Sequence, residues 1–179
     1  MFRRTLELLS DIADHMRSDC RVRKPYALVE SALGELVGFR LLTILRMEDV
    51  QVRRLHSSDP ESYPAGGVKD ISNDTWLREM LEAGKPVVSN TPELVRQRFL
   101  DHQSIFSLGC GAVLNVPITD TRRTLGSINL LDEAGRFGRE QTLIVQPFAA
   151  LLALAWSAEV TEAKADGAGS PSGGLPADS

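Results

Sequence analysis

Residues 109–132 carry two apolar runs, 112–118 and 125–131, on either side of a polar break at 119–123. Short apolar runs bounded by turn residues read as strands, and a short polar break between two of them closes an antiparallel hairpin. Neither run alternates cleanly between apolar and polar, so both faces of the hairpin are covered and it belongs in the middle of a sheet. Each run also contains polar residues: Asn115 in the first, Ser127 and Asn129 in the second. Side chains alternate faces along a strand, and directly opposed residues share a face. A hairpin closing symmetrically about Thr121 sets 115 opposite 127 and 113 opposite 129. Asn115, Ser127 and Asn129 then share one face with Val113, Pro117 and Leu125. Buried amides need hydrogen-bond partners, so these residues form either an internal network or the polar spot of a ligand cavity.

At 179 residues the chain has the length of one domain with appendages. Its net charge of −4 gives no reason to expect nucleic acid or a polybasic membrane contact as partner. Cys20 and Cys110 lie far apart and fit neither a disulfide framework nor a paired-cysteine metal site. No apolar run reaches the roughly 18 residues of a membrane span, and the first residues lack the apolar segment of a signal peptide. A cytoplasmic protein with reduced thiols is expected. His15, His56 and His102 are dispersed, which argues against a metal site, and the residues assign no cofactor.

Residues 2–16 place Leu6, Leu9, Ile12, Ala13 and Met16 on one helical face, and 21–37 repeat the pattern up to Gly38, with Pro25 in the first turn. The runs 39–47 and 50–58 are strands joined by a tight turn at Glu48-Asp49. In the first, Leu41, Thr43 and Leu45 share a face; the second, with Arg53, Arg54 and His56, is polar enough for an edge strand. Residues 59–72 read as a loop. Asn73 or Asp74 caps a helix at 75–83 that turns Trp76, Leu77, Met80 and Leu81 inward and stops at Gly84. A short strand at 86–89 precedes the Thr91-Pro92-Glu93 start of a helix running to about residue 100, and 102–108 form a further turn or short helix. A long helix at 139–162 follows the central hairpin, with Pro147 expected to kink or break it. The Gly/Ser/Pro-rich segment 163–179 is expected to be a disordered tail. The division that results is an N-terminal helix at 1–20, suited to dimerisation, a domain at 21–162 and the tail.

This order of elements resembles the GAF domain, a sensor module. The specific points are residues 109–118, similar to the family's small-residue strand ending in Val-Pro-(apolar), and Leu125-Gly126-Ser127-Ile128-Asn129-Leu130, similar to its Leu-Gly strand. The helix at 75–83 followed by Gly84-Lys85-Pro86 is similar to the family's helix-to-strand connection. The resemblance implies an α+β fold: an antiparallel sheet of five to six strands, order 2-1-5-4-3. Terminal helices would cover one face, and short helices with the 59–71 loop would enclose a pocket on the other.

On that frame the expected ligand residues are Trp76, Asn115, Ser127, Asn129, Tyr63, His102 and Thr43. Trp76 is either a pocket wall that stacks on a planar ligand or plain core packing. Tyr63 reaches in from the loop or stays exposed, and His102 bonds a ligand or lies on the surface. Arg54 and His56 line a cavity rim or the solvated edge, while Arg40 and Arg46 suit surface or interface roles. The function implied is a non-catalytic small-molecule sensor in signal transduction, working as a homodimer through its terminal helices. The alternatives are a ligand-free dimerisation or scaffold module, and a small-molecule enzyme on the same frame. For the latter, free methionine-R-sulfoxide reductase needs clustered cysteines around the pocket. Cys110 falls past that family's nucleophile position, and Cys20 belongs to the N-terminal helices.

Overall fold

The computed structural model describes residues 2–18, 25–72, 74–121 and 123–167. Cys20, the 21–24 start of the expected second helix, Asn73 and the tail from 168 onward lie outside the described residues. In chain order the elements are α1 (Phe2–Ser18), α2 (Tyr26–Leu36), β1 (Leu41–Glu48), β2 (Gln51–Ser57), β3 (Val68–Asp70) and α3 (Thr75–Ala83). Then come β4 (Val87–Ser89), α4 (Pro92–Arg98), α5 (His102–Ser107), β5 (Ala112–Thr119), β6 (Thr124–Asp132) and α6 (Arg139–Gly167).

The sheet runs β3-β2-β1-β6-β5-β4, with every neighbouring pair antiparallel. Apart from β3 this is the expected order. Residues 68–70, expected in a loop, form an edge strand on β2, which is therefore not the outermost strand. Three residues with no apolar alternation of their own give no periodic signal, and β3 exists because β2 offers it a ladder.

The central hairpin closes differently from the symmetric expectation. Asp120 N–H donates to the Arg123 carbonyl at 3.0 Å, Arg123 N–H donates to the Asp120 carboxylate at 2.8 Å, and a bulge sits between Ile118 and Thr119. Asn115 consequently lies opposite Asn129, Pro117 opposite Ser127 and Val113 opposite Leu131. This register differs from the symmetric one by two residues, and the side-chain period is two, so every residue keeps its expected face.

Even-numbered residues of the central strands, among them Leu42, Ile44, Leu114, Val116, Ile128 and Leu130, pack with Val29, Leu33, Val145, Phe148, Leu152 and Trp156 from α2 and α6. Trp156, fully buried, donates its indole N–H to the Tyr26 hydroxyl at 3.0 Å, which satisfies the one polar atom of that ring. Its other face carries the Arg46 guanidinium 5.2 Å from the ring centroid. Residues 139–158 of α6 are long and apolar enough, by length and composition, to cross a membrane, contrary to the expectation of no such run. One face of that stretch is spent on the sheet. The helix also continues without interruption through Pro147 and ends at Gly167, beyond both the expected break and the expected tail boundary. The carbonyl that Pro147 leaves unpaired belongs to Leu143, a 56 % exposed residue, so water can satisfy it.

Glycines fix two approaches. A Cβ on Gly126 would stand 2.0 Å from the Leu45 carbonyl oxygen across the β1–β6 pair. Gly84 ends α3 in the left-handed region (φ 59°) with its N–H on the Met80 and Leu81 carbonyls.

Candidate ligand site

Odd-numbered residues of the same strands face away from the terminal helices. β1, β6 and β5 bring Thr43, Asn129 and Asn115 into one row, since Thr43 pairs with Asn129 and Asn129 with Asn115. The Asn115 amide donates to Asn129 Oδ1 at 2.8 Å, and the Asn129 amide donates to Thr43 Oγ1 at 3.1 Å. All three are buried. The row is therefore an internal network and also the floor of a cavity, because both amides and Thr43 line a space of about 220 Å³. For scale, a dry cavity of about 150 Å³ suffices to hold a benzene ring.

The roof comes from the segments that connect β2 to β5. Asp74 caps α3: its carboxylate accepts from Leu77 N–H at 3.1 Å and from Lys69 Nζ at 2.7 Å. This fixes the first turn of α3 and sets Trp76 over the cavity, half-buried. The Trp76 ring lies against Phe99 (centroids 4.9 Å apart) and under the Arg98 guanidinium at 5.8 Å. Arg98 is itself held by the Val88 carbonyl at 3.2 Å and by Ser89 Oγ at 3.0 Å. Thr91 caps α4 on Leu94 N–H, and α5 supplies Ile105 to the wall.

Arg54 and Tyr63 form the opposite side. The Arg54 backbone N–H donates to the Gly67 carbonyl at 2.8 Å and its carbonyl accepts from Gly66 at 2.7 Å, so β2 fastens the loop down. The Arg54 guanidinium lies 4.9 Å from the Tyr63 ring centroid and donates Nη1–H to the Pro64 carbonyl at 3.0 Å. Burial lowers the Arg54 pKa from its ordinary value, against the pull of Tyr63 and Asp101. Burial, with the Asp101 charge adding to it, pushes the Tyr63 phenol up to about 12.

Three buried polar atoms of this cavity lining have no hydrogen-bond partner: Arg54 Nε, Tyr63 Oη and Asn115 Oδ1. All three have almost no accessible surface, so they lie within the wall of the cavity rather than displayed to its interior, and the polar groups shown to be held there are those of the Asn115–Asn129–Thr43 row.

Five of the seven expected ligand residues, Trp76, Tyr63, Thr43, Asn115 and Asn129, meet at this cavity. Ser127 shares their face but does not line the space; its neighbour across β1 is Leu45 and across β5 is Pro117. His102 is also not a lining residue: its ring packs edge-on to Phe106, and its Nδ1 lies 2.9 Å from the Phe99 carbonyl oxygen. His56 points to the helix side, against Glu30 of α2 at 2.5 Å. Arg40 pairs with Asp132 at 3.3 Å and Arg46 covers Trp156, as surface roles require. Arg54, weighed as rim or solvated edge, lines the cavity. The reading missed Asp101, Lys69 and Phe99 as lining residues. Nothing local distinguishes an Asp between two short helices from a surface residue.

Cys110 is buried with Leu41, Val95, Ile105 and Val113, and burial pushes its thiol up to about 11. Among the described residues no group of three or more His, Cys, Asp or Glu is placed to hold a metal ion.

A family model described as the GAF domain matches residues 4–156. The chain belongs to the GAF family. Among solved structures, its fold is similar to the GAF domain of a phosphoenolpyruvate-protein phosphotransferase from Coxiella burnetii, with a TM-score of 0.70 at 18% identity, covering 93% of this chain and 98% of that one. The corresponding Acinetobacter domain gives a TM-score of 0.70 at 12% identity, covering 89% and 97%. A domain of a putative two-component sensor histidine kinase protein from Sinorhizobium meliloti 1021 gives 0.65 at 15% identity, covering 81% and 97%. At these identities the likeness concerns the GAF fold alone. No curated protein matches the chain. GAF domains are commonly small-molecule-binding sensor modules of signalling proteins, and the cavity described here lies on the sheet face away from the terminal helices of this GAF domain.

Proposed function

We propose that this GAF domain is a non-catalytic, cytoplasmic small-molecule sensor that acts as a homodimer. The observation that carries the reading is the cavity of about 220 Å³, floored by Thr43, Asn129 and Asn115 and walled by Trp76, Phe99 and Tyr63. A scaffold whose pocket is filled by its own side chains leaves no such space. A redox enzyme is disfavoured by the thiol of Cys110, which burial keeps protonated at neutral pH, whereas thiolate is the attacking species.

The homodimer is supported by an apolar groove between α1 and α6, lined by Phe2, Leu6, Leu9, Leu143 and Ile144. Phe2 and Leu143 are 78 % and 56 % exposed there. Exposed apolar surface on two adjacent helices is what an interface between copies removes from water.

The test is a thermal-stability screen of the full chain against nucleotides, purines, amino acids, organic acids and heterocycles. A ligand present at a hundred times its Kd adds about 2.7 kcal/mol to the folded state, a readily measured rise in Tm. A screen in which nothing raises Tm overturns the sensor reading and leaves the scaffold.

A further inference from the structure

Among the described residues four charged side chains line the cavity, Arg54, Lys69, Asp74 and Asp101, and each is already spent or in water. Lys69 Nζ donates to one oxygen of the Asp74 carboxylate at 2.7 Å, and the other oxygen caps α3 on Leu77 N–H. The Arg54 guanidinium holds the loop: it lies on the Tyr63 ring and donates Nη1–H to the Pro64 carbonyl, and Nη1 comes within 3.1 Å of where a Cβ on Gly67 would stand. Asp101 is exposed, so its charge stays solvated. The polar floor is closed on itself, since Asn115 bonds Asn129 and Asn129 bonds Thr43. An ion drawn into this space would shed its hydration and meet no unpaired opposite charge, which is costly.

The rest of the lining is aliphatic and aromatic. Leu41, Ile105, Val113 and Leu131 supply apolar surface, and Trp76, Phe99 and Tyr63 supply three rings. Trp76 and Phe99 stand at 57° to one another with centroids 4.9 Å apart, which makes an aromatic corner. A ring seated in that corner meets the face of one neighbour and the edge of the other, and aromatic pairs favour both offset-stacked and edge-to-face contacts. Volume then sets the size. A space of about 150 Å³ takes benzene, so about 220 Å³ takes one ring with a few further atoms. It falls short of the roughly 300–1,000 Å³ of pockets that hold larger ligands.

We propose that the ligand is an uncharged molecule built on a single aromatic ring, of the size of phenol, cresol or benzyl alcohol. This inference rests on the sensor reading above and specifies its ligand class. The ring packs into the corner of Trp76 and Phe99 and lies on Leu41, Ile105, Val113 and Leu131. Its substituents are small and neutral.

The experiment adds toluene, phenol, p-cresol and benzyl alcohol to the screen above, on the full chain, reading Tm and the heat of binding by titration calorimetry. Benzoate and benzylamine serve as rings of the same size that carry a charge, and the saturated-ring counterpart of the best binder serves as a shape without aromaticity. At least one uncharged ring is expected to raise Tm. Benzoate and benzylamine should bind at least about tenfold more weakly, because the charge is buried unpaired. The saturated counterpart should be about two- to tenfold weaker, the share that ring–ring contacts add beyond buried area. Val113→Phe and Ile105→Phe each push a ring into the space, one from β5 and one from α5. Either variant, once shown to fold by circular dichroism, is expected to lose at least about tenfold in affinity for the ring; where neither folds, the charged and saturated controls decide alone. Charged rings that bind as well as neutral ones overturn the inference, as do a saturated ring that binds equally, a folded filled variant that still responds, and silence from all four uncharged rings. If a nucleotide, purine, amino acid or organic acid of the wider screen then raises Tm, the sensor reading stands without this ligand class; if nothing does, both fall.

Discussion

The Asn115 side-chain amide donates to Asn129 Oδ1 at 2.8 Å across the β5–β6 pair, and its own carbonyl oxygen is buried without a partner. Asn129 passes the chain on to Thr43, so it is the only member of the row bonded on both sides. Asn129→Ala should therefore strand a donor on Asn115 and vacate the space between β1 and β5. The expected loss is about 1–3 kcal/mol of unfolding free energy, measured by urea titration. A loss within 0.5 kcal/mol would mean that water replaces the missing amide and that the row does not hold the floor.

Gly126 should tolerate no side chain. The atom that its Cβ would meet, at 2.0 Å, is the carbonyl oxygen of Leu45 within a three-strand ladder, which cannot swing aside. Gly126→Ala is expected to cost about 3 kcal/mol, the upper end of overpacking penalties. Gly34 is the contrast. It lies on the exposed side of α2, and its Cβ would meet only Phe39 ring carbons at 3.9 Å. Gly34→Ala should stabilise by about 0.5–1 kcal/mol.

Stability should fall in alkali earlier than arginine or lysine titration would require. Unfolded, the Cys110 thiol loses its proton near 9.0; folded, burial holds it to about 11. Tyr63 likewise moves from 10.0 to about 12. Between those values the unfolded state binds fewer protons than the folded one, so unfolding becomes more favourable as pH rises. The contribution is complete below about pH 9 and is lost progressively between about 9 and 12. Urea midpoints across that window should decline, and the decline should be shallower in a Cys110→Ala, Tyr63→Phe double variant. An unchanged slope in the variant would assign the decline to other groups.

Leu6→Glu combined with Leu143→Glu should convert dimer to monomer in light scattering at micromolar concentration, with the circular dichroism spectrum preserved. Both positions are more than half exposed in a single chain, so charge there costs the monomer little. A wild-type chain that scatters as a monomer at the same concentration removes the homodimer from the proposal.

The sheet was legible where runs were long. The apolar blocks of β5 and β6 mark the centre, and face alternation alone put Asn115 and Asn129 on the cavity side despite a register two residues from the symmetric one. Capping residues located α3 and α4, because Asp74 and Thr91 carry their signals in the residue itself. β3 was not legible, since three residues owe their pairing to a neighbour rather than to their own pattern. The site divides the same way. Side chains on regular elements could be assigned a face, as with Thr43. Arg54 could not, because the bulge between β1 and β2 sets it opposite Leu45 on the cavity side and His56 opposite Ile44 on the helix side, where plain alternation puts both on one face. Asp101 could not, because it lies between two short helices that fold back over the sheet. Ser127 had the right face and the wrong position along it, a distinction that alternation does not make.

β6 is one residue thick. Ile128 and Leu130 press on the terminal helices, and Asn129 between them forms the cavity floor. A single ribbon of backbone, with Asn129 on one side and Ile128 and Leu130 on the other, separates the cavity from α6. Any tilt of that ribbon is felt by both at once, much as a drumskin struck on one side moves the air on the other.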